Sequence, residues 1–434
     1  MTPEELDVEE VIVAVPDVQG RLQGSRVDLD YFRDTVLSQG FRSCEYLLAV
    51  DVDMNARTGY TDTFADLVLV PDLDTLRLLP WDAGTALVIA DALDAEGRPV
   101  QVAPRQVLRA QLDRLAAHGL AALAGTELEF TLFRESFQQA WDADYRGLTP
   151  ATRHNVDYAI AGVAEIDPLV RRIRTAMRAT GMRIESARGE CHPGQYEIVF
   201  RYDDALRTCD NHAVYKTGAR QIAAAEGVAM TFMAKYDAGE GNSCHVHLSL
   251  RSADGVPAFA DAGGDMSRLM AHFVAGQLAC MSELAVLSAP NVNSYKRLAP
   301  AAFAPTAIAW GRDNRTCPVR VVGRGESLRI EYRVPGGDAN PYLAVASILA
   351  AGLHGIEREL PLEPPYTGNA FTSGRPRLPE TLADAVALWE ASAVAHEAFG
   401  ADVVAHYAAA ARAELAAYNA EVTDWERRRG FERL

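Results

Sequence analysis

The sequence has little cysteine, and its six cysteines are scattered with no close pair spaced for zinc. We therefore expect reduced thiols rather than a disulfide framework or a structural zinc site. Basic residues are also scarce: 42 Lys and Arg stand against 59 Asp and Glu, for a formal net charge of −17. Because a nucleic-acid-binding protein needs a basic surface, this balance argues against a nucleic-acid partner.

Long apolar runs are missing too. No stretch approaches the ~20 apolar residues that a helix needs to cross a bilayer, so no membrane partner is expected. The first ten residues are acidic and lack the basic start of a signal peptide. No Gly-x-x-x-x-Gly-Lys-Ser/Thr loop occurs, which excludes a P-loop as a nucleotide cradle. These absences predict a soluble, cytoplasmic protein.

The apolar pattern divides the 434 residues into two predicted domains, 1–98 and 99–434. The first is predicted as strand-rich, with strands at 11–15, 21–27, 46–53, 66–70, 75–80 and 86–90 and a helix at 30–39. The second alternates helices (104–118, 168–180, 211–227, 265–287, 341–357, and from 378 on) with strands (126–133, 183–185, 195–200, 230–235, 243–250, 319–322, 328–334). Such alternation favours an α/β domain.

Four of the predicted strands have an apolar back and a front that can bind ligands. In 243–250, His245, His247 and Ser249 alternate with Val246 and Leu248, which places the two imidazoles about 7 Å apart on one face. The other three fronts carry the following residues: Glu127 and Glu129; Glu197, with Glu190 seven residues earlier; and Arg329, Glu331 and Arg333. A charged face on a single strand usually faces water, but solvated faces normally mix in Lys, Thr, Ser and Gln.

Carboxylates that share one cavity repel one another unless cations lie among them. Hard divalent ions such as Mg²⁺ or Mn²⁺ accept carboxylate oxygens, and Mn²⁺ tolerates an imidazole. Several arginines lie near these acids in the sequence: Arg297, Arg315, Arg320, Arg329 and Arg333. Metal ions beside convergent arginines are typical of phosphoryl transfer. The residues themselves therefore predict a two-metal, phosphate-handling enzyme.

Seven short motifs follow one another along the chain. They are Glu-Leu-Glu at 127–129, Glu-Cys-His-Pro-Gly-Gln-Tyr-Glu at 190–197, Gly-Asn-Ser-Cys-His-Val-His-Leu-Ser at 241–249, Asn-Ser-Tyr-Lys-Arg-Leu at 293–298, Asn-Arg at 314–315, Arg-Ile-Glu-Tyr-Arg-Val-Pro at 329–335 and Ala-Asn-Pro-Tyr-Leu at 339–343. In this order they resemble the motifs of the glutamine synthetase superfamily, and the resemblance runs from about residue 11 to the C-terminus.

The resemblance implies an α+β fold: an N-terminal β-grasp domain and a catalytic domain whose curved antiparallel sheet forms a two-metal funnel. It also implies a soluble ring of six subunits, stacked to twelve. By position, one metal would bind Glu129, Glu190 and Glu197, and the other Glu127, Glu197, His245 and Glu331. Glutamate would bind Arg297, Arg333 and Gly241, ATP would contact Glu185, His247, Ser249, Arg320 and Arg329, and Arg315 would stabilise the transferring phosphoryl group.

Two departures from the family pattern concern the amine that the family couples to glutamate. Members that use ammonia place a loop glutamate six residues after the position of Arg297, where this chain has Phe303. An aromatic ring cannot accept a proton, but it offers an apolar wall to a carbon-bearing amine. Glu240 stands where the family often has Asn, and its carboxylate could pair with an amine chain.

Two further departures concern regulation and the neighbouring subunit. The tyrosine that some bacterial members adenylylate corresponds to Phe371, which lacks the hydroxyl that this modification needs. The aspartate that family β-grasp domains contribute to the amine site lacks its usual Asp-Gly-Ser setting, and Asp51 or Asp53 is the candidate for it.

The expected function is an ATP-dependent ligase that forms a γ-glutamyl amide from glutamate and a primary amine by way of γ-glutamyl phosphate. Ethanolamine, a polyamine and a small alkylamine all stay open as acceptors. The alternatives are a glutamine synthetase that uses ammonia and a catalytically silent scaffold of the same fold.

Overall fold

The computed structural model describes residues 2–57, 64–299 and 303–434, and within these ranges the chain forms two β-sheets surrounded by helices. The strands are β1 Glu10–Pro16, β2 Leu22–Asp28, β3 Phe41–Cys44, β4 Asp66–Pro71, β5 Arg77–Leu78, β6 Thr85–Leu93, β7 Leu120–Phe133, β8 Ile184–Gly189, β9 Gln195–Phe200, β10 Asp203–Asp204, β11 Ala229–Thr231, β12 Cys244–Ser252, β13 Trp310–Arg312, β14 Val319–Val322 and β15 Arg329–Tyr332. The α-helices are α1 Leu29–Tyr31, α2 Leu37–Gln39, α3 Pro104–Ala117, α4 Phe137–Asp142, α5 Asp167–Ala179, α6 Ala205–Ala225, α7 Arg268–Cys280, α8 Val292–Arg297, α9 Pro341–Glu357, α10 Leu382–Ala391, α11 Ala393–Phe399, α12 Ala401–Ala420 and α13 Asp424–Gly430. None of the helices in these ranges is both long and apolar enough to span a membrane.

The N-terminal sheet has six strands in the order β2-β1-β6-β4-β3, with β5 also paired to β6. Its central pair, β1 and β6, runs parallel, and the other pairs are antiparallel. A π-helical segment, Phe32–Val36, joins α1 to α2 and buries Phe32 and Val36 completely in the core of this sheet. A mixed sheet packed against one helix agrees with the predicted β-grasp domain.

The second sheet has nine strands in the order β13-β14-β15-β12-β7-β9-β8, with β10 and β11 also paired to β7. All of its pairs are antiparallel except β13 with β14. In β7 the back residues Leu128, Phe130 and Leu132 are buried in a core that α5 and α6 complete. The predicted alternation in this strand therefore has a physical cause, because one face packs on helices and the other is free for chemistry.

Helix α9 is apolar on all sides and lies in the largest hydrophobic core. Its start is fixed by Pro341 at the first helical position and by Asn340, whose side chain accepts a hydrogen bond from the Tyr342 amide (3.1 Å). The same side chain donates to the backbone carbonyls of Asp17 and Val18 (both 3.1 Å), which ties α9 to the N-terminal module.

The strand predicted at 46–53 is wrong. Glu45–Leu48 forms a 3₁₀ turn, and the Asp51 side chain then accepts a hydrogen bond from the backbone amide of Asn55 (2.8 Å). A short polar side chain that binds nearby backbone offers the chain an alternative to strand pairing. The chain forms a strand, β3, just before this segment instead, at Phe41–Cys44.

Several other predicted boundaries also differ from the structure. The helix predicted at 265–287 is only α7, because Ser267 caps its start by accepting from the Met270 amide (3.1 Å) and the chain turns again at Ala285–Leu287. Helix α8 lies in a stretch where no helix or strand was predicted, and the strands predicted at 75–80, 230–235 and 328–334 are shorter. The C-terminal helical region is divided at Ser392 and at Gly400, whose φ of +83° ends α11.

The two sheets are joined through a buried ion cluster around Arg105 in the first turn of α3. Its guanidinium, 1% exposed, contacts Asp72 and Asp91 of the N-terminal module (2.6 Å each) and Asp210 of α6 (2.9 and 3.0 Å). Removing one member of such a network costs stability, because the charges of the other members stay buried without a partner.

Replacing Arg105 by methionine is therefore expected to destabilise the protein by about 3–5 kcal/mol. Urea unfolding followed by circular dichroism measures this change. Arg98→Met is the matched control, since Arg98 pairs with Asp94 at an exposed position and should change the unfolding free energy little. Equal unfolding midpoints for the two variants would contradict this role of Arg105.

Candidate active site

The pairing of six strands brings predicted acidic and basic residues, together with Arg188, onto one face of the large sheet. Residues directly opposite in antiparallel strands point to the same face. The opposed pairs are Glu127 with His245, Glu129 with Glu197, Arg188 with Glu197, His247 with Glu331, and Arg320 with Glu331. Segments that lie up to about 200 residues apart in the sequence thus meet, because their strands pair in a register that places these residues opposite one another.

Three carboxylates, which we name the first carboxylate cluster, come together at Glu129, Glu190 and Glu197. Each offers one oxygen within 4.8 Å of the oxygens of the other two. Glu197 is fully buried, and its Oε1 has no hydrogen-bond partner among the described residues. Glu129 is held by the Ser243 amide (2.6 Å) and by the Gln195 side chain (3.0 Å). A buried, unpaired carboxylate oxygen beside two further acids fits a hard divalent cation.

A second cluster, named here the histidine cluster, contains Glu127, His245, His247 and Glu331. His245 Nδ1 lies 3.5 Å from Glu127 and 3.7 Å from Glu331, and His247 Nε2 lies 3.0 Å from Glu127. Donor atoms of Glu127, His247 and Glu331 all lie within 4.8 Å of one another, so His247 joins the predicted His245 as a candidate ligand. Carboxylates with an imidazole suit Mn²⁺ or Mg²⁺.

The two clusters differ in charge balance. In the first, burial and the charges of Glu127 and Glu129 raise the pKa of Glu197 well above its usual value. Burial and the charge of Glu129 likewise raise the pKa of Glu190 to about 7. These shifts mean that the first carboxylate cluster is short of positive charge, because its acids cannot all ionise comfortably together.

The histidine cluster lies beside positive charge, because Arg320 and Arg333 both contact Glu331. Burial acts to raise the pKa of Glu331, but the charges of His245 and Arg333 outweigh it and lower that pKa to about 2. Burial also opposes ionisation of Glu127, yet its contacts with His245 and His247 lower its pKa well below the usual value. These acids are therefore ionised at neutral pH and ready to accept a metal ion.

The predicted arginines surround Glu331 and the neighbouring cleft. Arg333 donates to Glu331 Oε1, and Arg320 donates to Oε2 (2.6 Å). Arg297, only 4% exposed, is held by the carbonyl of Val334 (2.8 Å). Arg315 is exposed and lines the same cleft. The arrangement offers several guanidinium groups to an anionic ligand beside the acidic clusters.

Two cavities meet at the histidine cluster. The first, about 1190 Å³ including space open to solvent, is lined by members of both clusters: Glu129 and Glu190 of the first, and Glu127, His245 and Glu331 of the second. Its other lining residues include Arg297, Arg315, Arg320, Arg333, Glu240, Gly241 and Phe303. The second, about 1040 Å³, is lined by Glu185, His247, Ser249 and Arg329, four of the residues predicted to contact ATP. Glu127 lines both cavities. Arg320, predicted with the ATP contacts, lines the first cavity instead.

One end of the first cavity carries the two departures from the family pattern. The backbone amide of Phe303 donates to the carboxylate of Glu240 (3.3 Å), and the Phe303 side chain is 67% exposed. Gly241 follows directly, where an added Cβ would lie 2.2 Å from the carbonyl oxygen of Ala234 and 3.1 Å from the Arg297 side chain. Only glycine therefore fits beside Arg297 without a shift of the backbone.

Asp51 does not line either cavity of its own chain. It lies in a separate pocket between the N-terminal module and α12, lined also by Asp338 and Glu414. Its predicted role would require it to reach the cleft of a neighbouring subunit. That role stays a prediction, as do the other predicted contacts to metal and substrate.

Several residues of the first cavity were missed from the sequence: Asp157, Tyr158, Arg188, Cys191 and Gln195. Gln195 lies inside a motif that was recognised, so its side chain could have been noticed. Arg188 gave no clear signal, because a register shift between Ile184 and Ser186 in β8 breaks the simple alternation of faces.

Known proteins resemble this chain along nearly its whole length. A family model described as the catalytic domain of glutamine synthetase matches residues 101–430. Gamma-glutamylethanolamide synthetase from Streptomyces coelicolor is 57% identical over 433 residues, 99% of this chain and 94% of that protein. Glutamate–isopropylamine ligase from a Pseudomonas species is 34% identical over 436 residues, 98% of this chain and 95% of that protein.

A solved structure extends the likeness to the fold. GmaS without ligand superposes with a TM-score of 0.88 at 31% identity and covers 99% of this chain and 98% of that one. The match confirms the predicted α+β fold, and the family match confirms the resemblance of the motifs. The chain belongs to the glutamine synthetase family of ATP-dependent carbon–nitrogen ligases.

Proposed function

We propose that this protein joins the γ-carboxylate of glutamate to a primary amine other than ammonia, with ATP hydrolysed to ADP and phosphate. The observation that carries this proposal is the first cavity, in which acids of both clusters and five arginines adjoin a wall made by Phe303 and Glu240. The relatives named for ethanolamide and isopropylamide formation support the same reaction class.

In this proposal the acidic clusters hold two divalent ions, which supply positive charge to the phosphates of ATP. Glu129, Glu190 and Glu197 form one set of ligands, and Glu127, Glu331 and a histidine form the other. His245 and His247 lie 3.5 Å and 3.0 Å from Glu127, which supports either imidazole as the ligand. We propose Mg²⁺ or Mn²⁺, since both accept oxygen-rich sites.

The arginines then act on the two reacting partners. Arg297 and Arg333 bind the carboxylates of glutamate and direct its γ-carboxylate oxygen at the terminal phosphorus of ATP, which releases ADP. Arg315 stabilises the charge that the phosphoryl group carries as it moves. The amine nitrogen next attacks the acyl carbon, phosphate leaves, and the nitrogen loses a proton. Glu185, Ser249 and Arg329 hold the nucleotide in the adjoining cavity.

The acceptor that we favour is ethanolamine or an amine of similar size. Phe303 provides an apolar edge for the carbon chain. The Glu240 carboxylate is positioned by the hydrogen bond that it accepts from the Phe303 amide, and it accepts a further hydrogen bond from a hydroxyl or ammonium group of the amine. The 57% identity to gamma-glutamylethanolamide synthetase supports a short hydroxylated amine over a long polyamine.

The test is ATP-dependent phosphate release by the purified protein with Mg²⁺, glutamate and a panel of amines. We expect the highest kcat/KM with ethanolamine, at least about tenfold above that with ammonium. Best turnover with ammonium would instead make the protein a glutamine synthetase. No phosphate release with any amine, although ATP binds, would favour the silent scaffold.

The proposed assembly is a cytoplasmic ring of six subunits, stacked to twelve, in which Asp51 of one subunit completes the neighbour's amine site. The position of Asp51 outside both cavities of its own chain supports a role between subunits. Analytical ultracentrifugation measures the assembly, and a protein that is active as a monomer would contradict the role of Asp51.

A further inference from the structure

One guanidinium spans two acids of the first carboxylate cluster. Arg188 lies on β8 directly opposite Glu197 of β9. Its Nε donates to Glu190 Oε1 (2.9 Å), and one of its terminal nitrogens lies 2.6 Å from Glu197 Oε2. The side chain thus contacts two of the three carboxylates that we propose as metal ligands.

The position of this guanidinium is fixed on its other side as well. Its central carbon lies 5.3 Å from the centre of the Tyr158 ring, a distance typical of a cation–π contact. The side chain is 28% exposed and lines the first cavity together with Tyr158. A planar cation held between an aromatic ring and two carboxylates keeps both acids oriented.

The same two carboxylates are needed by a divalent ion, since Glu190 and Glu197 are two of the three ligands proposed for it. Glu129 accepts hydrogen bonds at Oε2 from Ser243 and Gln195, and Glu197 Oε1 has no hydrogen-bond partner among the described residues. Arg188 contacts the other oxygen of Glu197 and one oxygen of Glu190, so part of the negative charge that would attract the ion is already balanced. The positive charge of Arg188 also stays within a few ångströms of the ion, where the two repel.

We propose that Arg188 is a positioning residue that competes with the divalent ion for Glu190 and Glu197. It keeps the first carboxylate cluster assembled in metal-free protein and thereby lowers the affinity of this site for the ion. The inference rests on the proposed metal site. It adds that the Arg188 guanidinium sets the affinity of that site for the divalent ion.

The test measures Mn²⁺ binding to the full-length metal-free protein by electron paramagnetic resonance, without substrates. Arg188→Met retains the aliphatic length and removes the charge, so Mn²⁺ should bind about tenfold more tightly. The melting temperature without metal should fall, and the rise on adding Mn²⁺ should exceed that of the unmodified protein. Unchanged or weaker Mn²⁺ affinity in this variant would overturn the inference.

Controls separate the inference from the proposed function. Arg183→Met removes an exposed charge just before the same strand and should leave Mn²⁺ affinity unchanged. Adding Glu197→Gln to Arg188→Met should abolish the gain. If the unmodified protein binds no Mn²⁺ at all, the proposed metal site itself fails, whereas equal binding by Arg188→Met contradicts only the competition.

A second substitution covers the case in which Arg188→Met does not stay folded without metal. Arg188→Lys retains the charge, but its ammonium cannot contact both carboxylates with the same planar geometry. Mn²⁺ binding several-fold tighter than in the unmodified protein would support competition by the bridging guanidinium. Equal affinity would contradict it.

Discussion

Replacing Glu331 by glutamine is expected to lower amine-dependent phosphate release by about a thousandfold or more. Glu331 lies where β12, β14 and β15 meet, only 1% exposed, and its oxygens contact Arg320 and Arg333. Glutamine has nearly the same volume but no negative charge, so one proposed metal ligand is lost and two arginines lose the anion that orients them. The loss should appear in kcat, because the metal ligand and the oriented arginines both act on the charge that the phosphoryl group carries during its transfer.

Two measurements distinguish this chemical effect from unfolding. Circular dichroism of Glu331→Gln should give a melting temperature that still lies above the assay temperature. Glu380→Gln, at an exposed position, should retain full activity. A Glu331→Gln protein that stays folded and releases phosphate at more than a tenth of the normal rate would remove Glu331 from the proposed site.

Replacing Phe303 by glutamate is expected to shift the acceptor preference towards ammonium by about ten- to a hundredfold in the ratio of kcat/KM values. The new carboxylate would attract ammonium and could accept its proton, and the apolar edge for a carbon chain would be lost. It would also stand beside Glu240, so the amine end of the cavity would become more acidic. The ratio is measured by phosphate release with ammonium and ethanolamine under identical conditions.

The control for this variant is Phe303→Leu, which retains an apolar side chain without adding charge. It should keep the preference for ethanolamine with only a moderate increase in KM. Because Phe303 is 67% exposed, neither substitution should disturb the core. An unchanged preference in Phe303→Glu would show that this position does not select the acceptor.

Much of the fold followed from local pattern. The alternation of apolar and ligand-capable residues in 243–250 and 126–133 predicted β12 and most of β7, because a strand that packs on helices must bury every second residue. Helices α3 and α9 were predicted within a few residues, since both begin with proline at the first helical position. Predictions failed where side chains bind nearby backbone, as Asp51 does, or where the chain turns within a helical pattern, as after α7.

The sequence by itself determined the family and predicted part of the site: six metal-ligand candidates, the arginines and the departures at Phe303 and Glu240. Residue type and order along the chain indicate this chemistry, and both can be read from the sequence alone. Only the tertiary structure decided the relations among these residues. Strand register placed Glu129 opposite Glu197 and His247 opposite Glu331, placed Arg320 in the first cavity rather than the nucleotide cavity, and brought Arg188 onto the acids. The local apolar pattern fixes which face a residue takes, but which residue lies opposite it depends on pairing between distant segments.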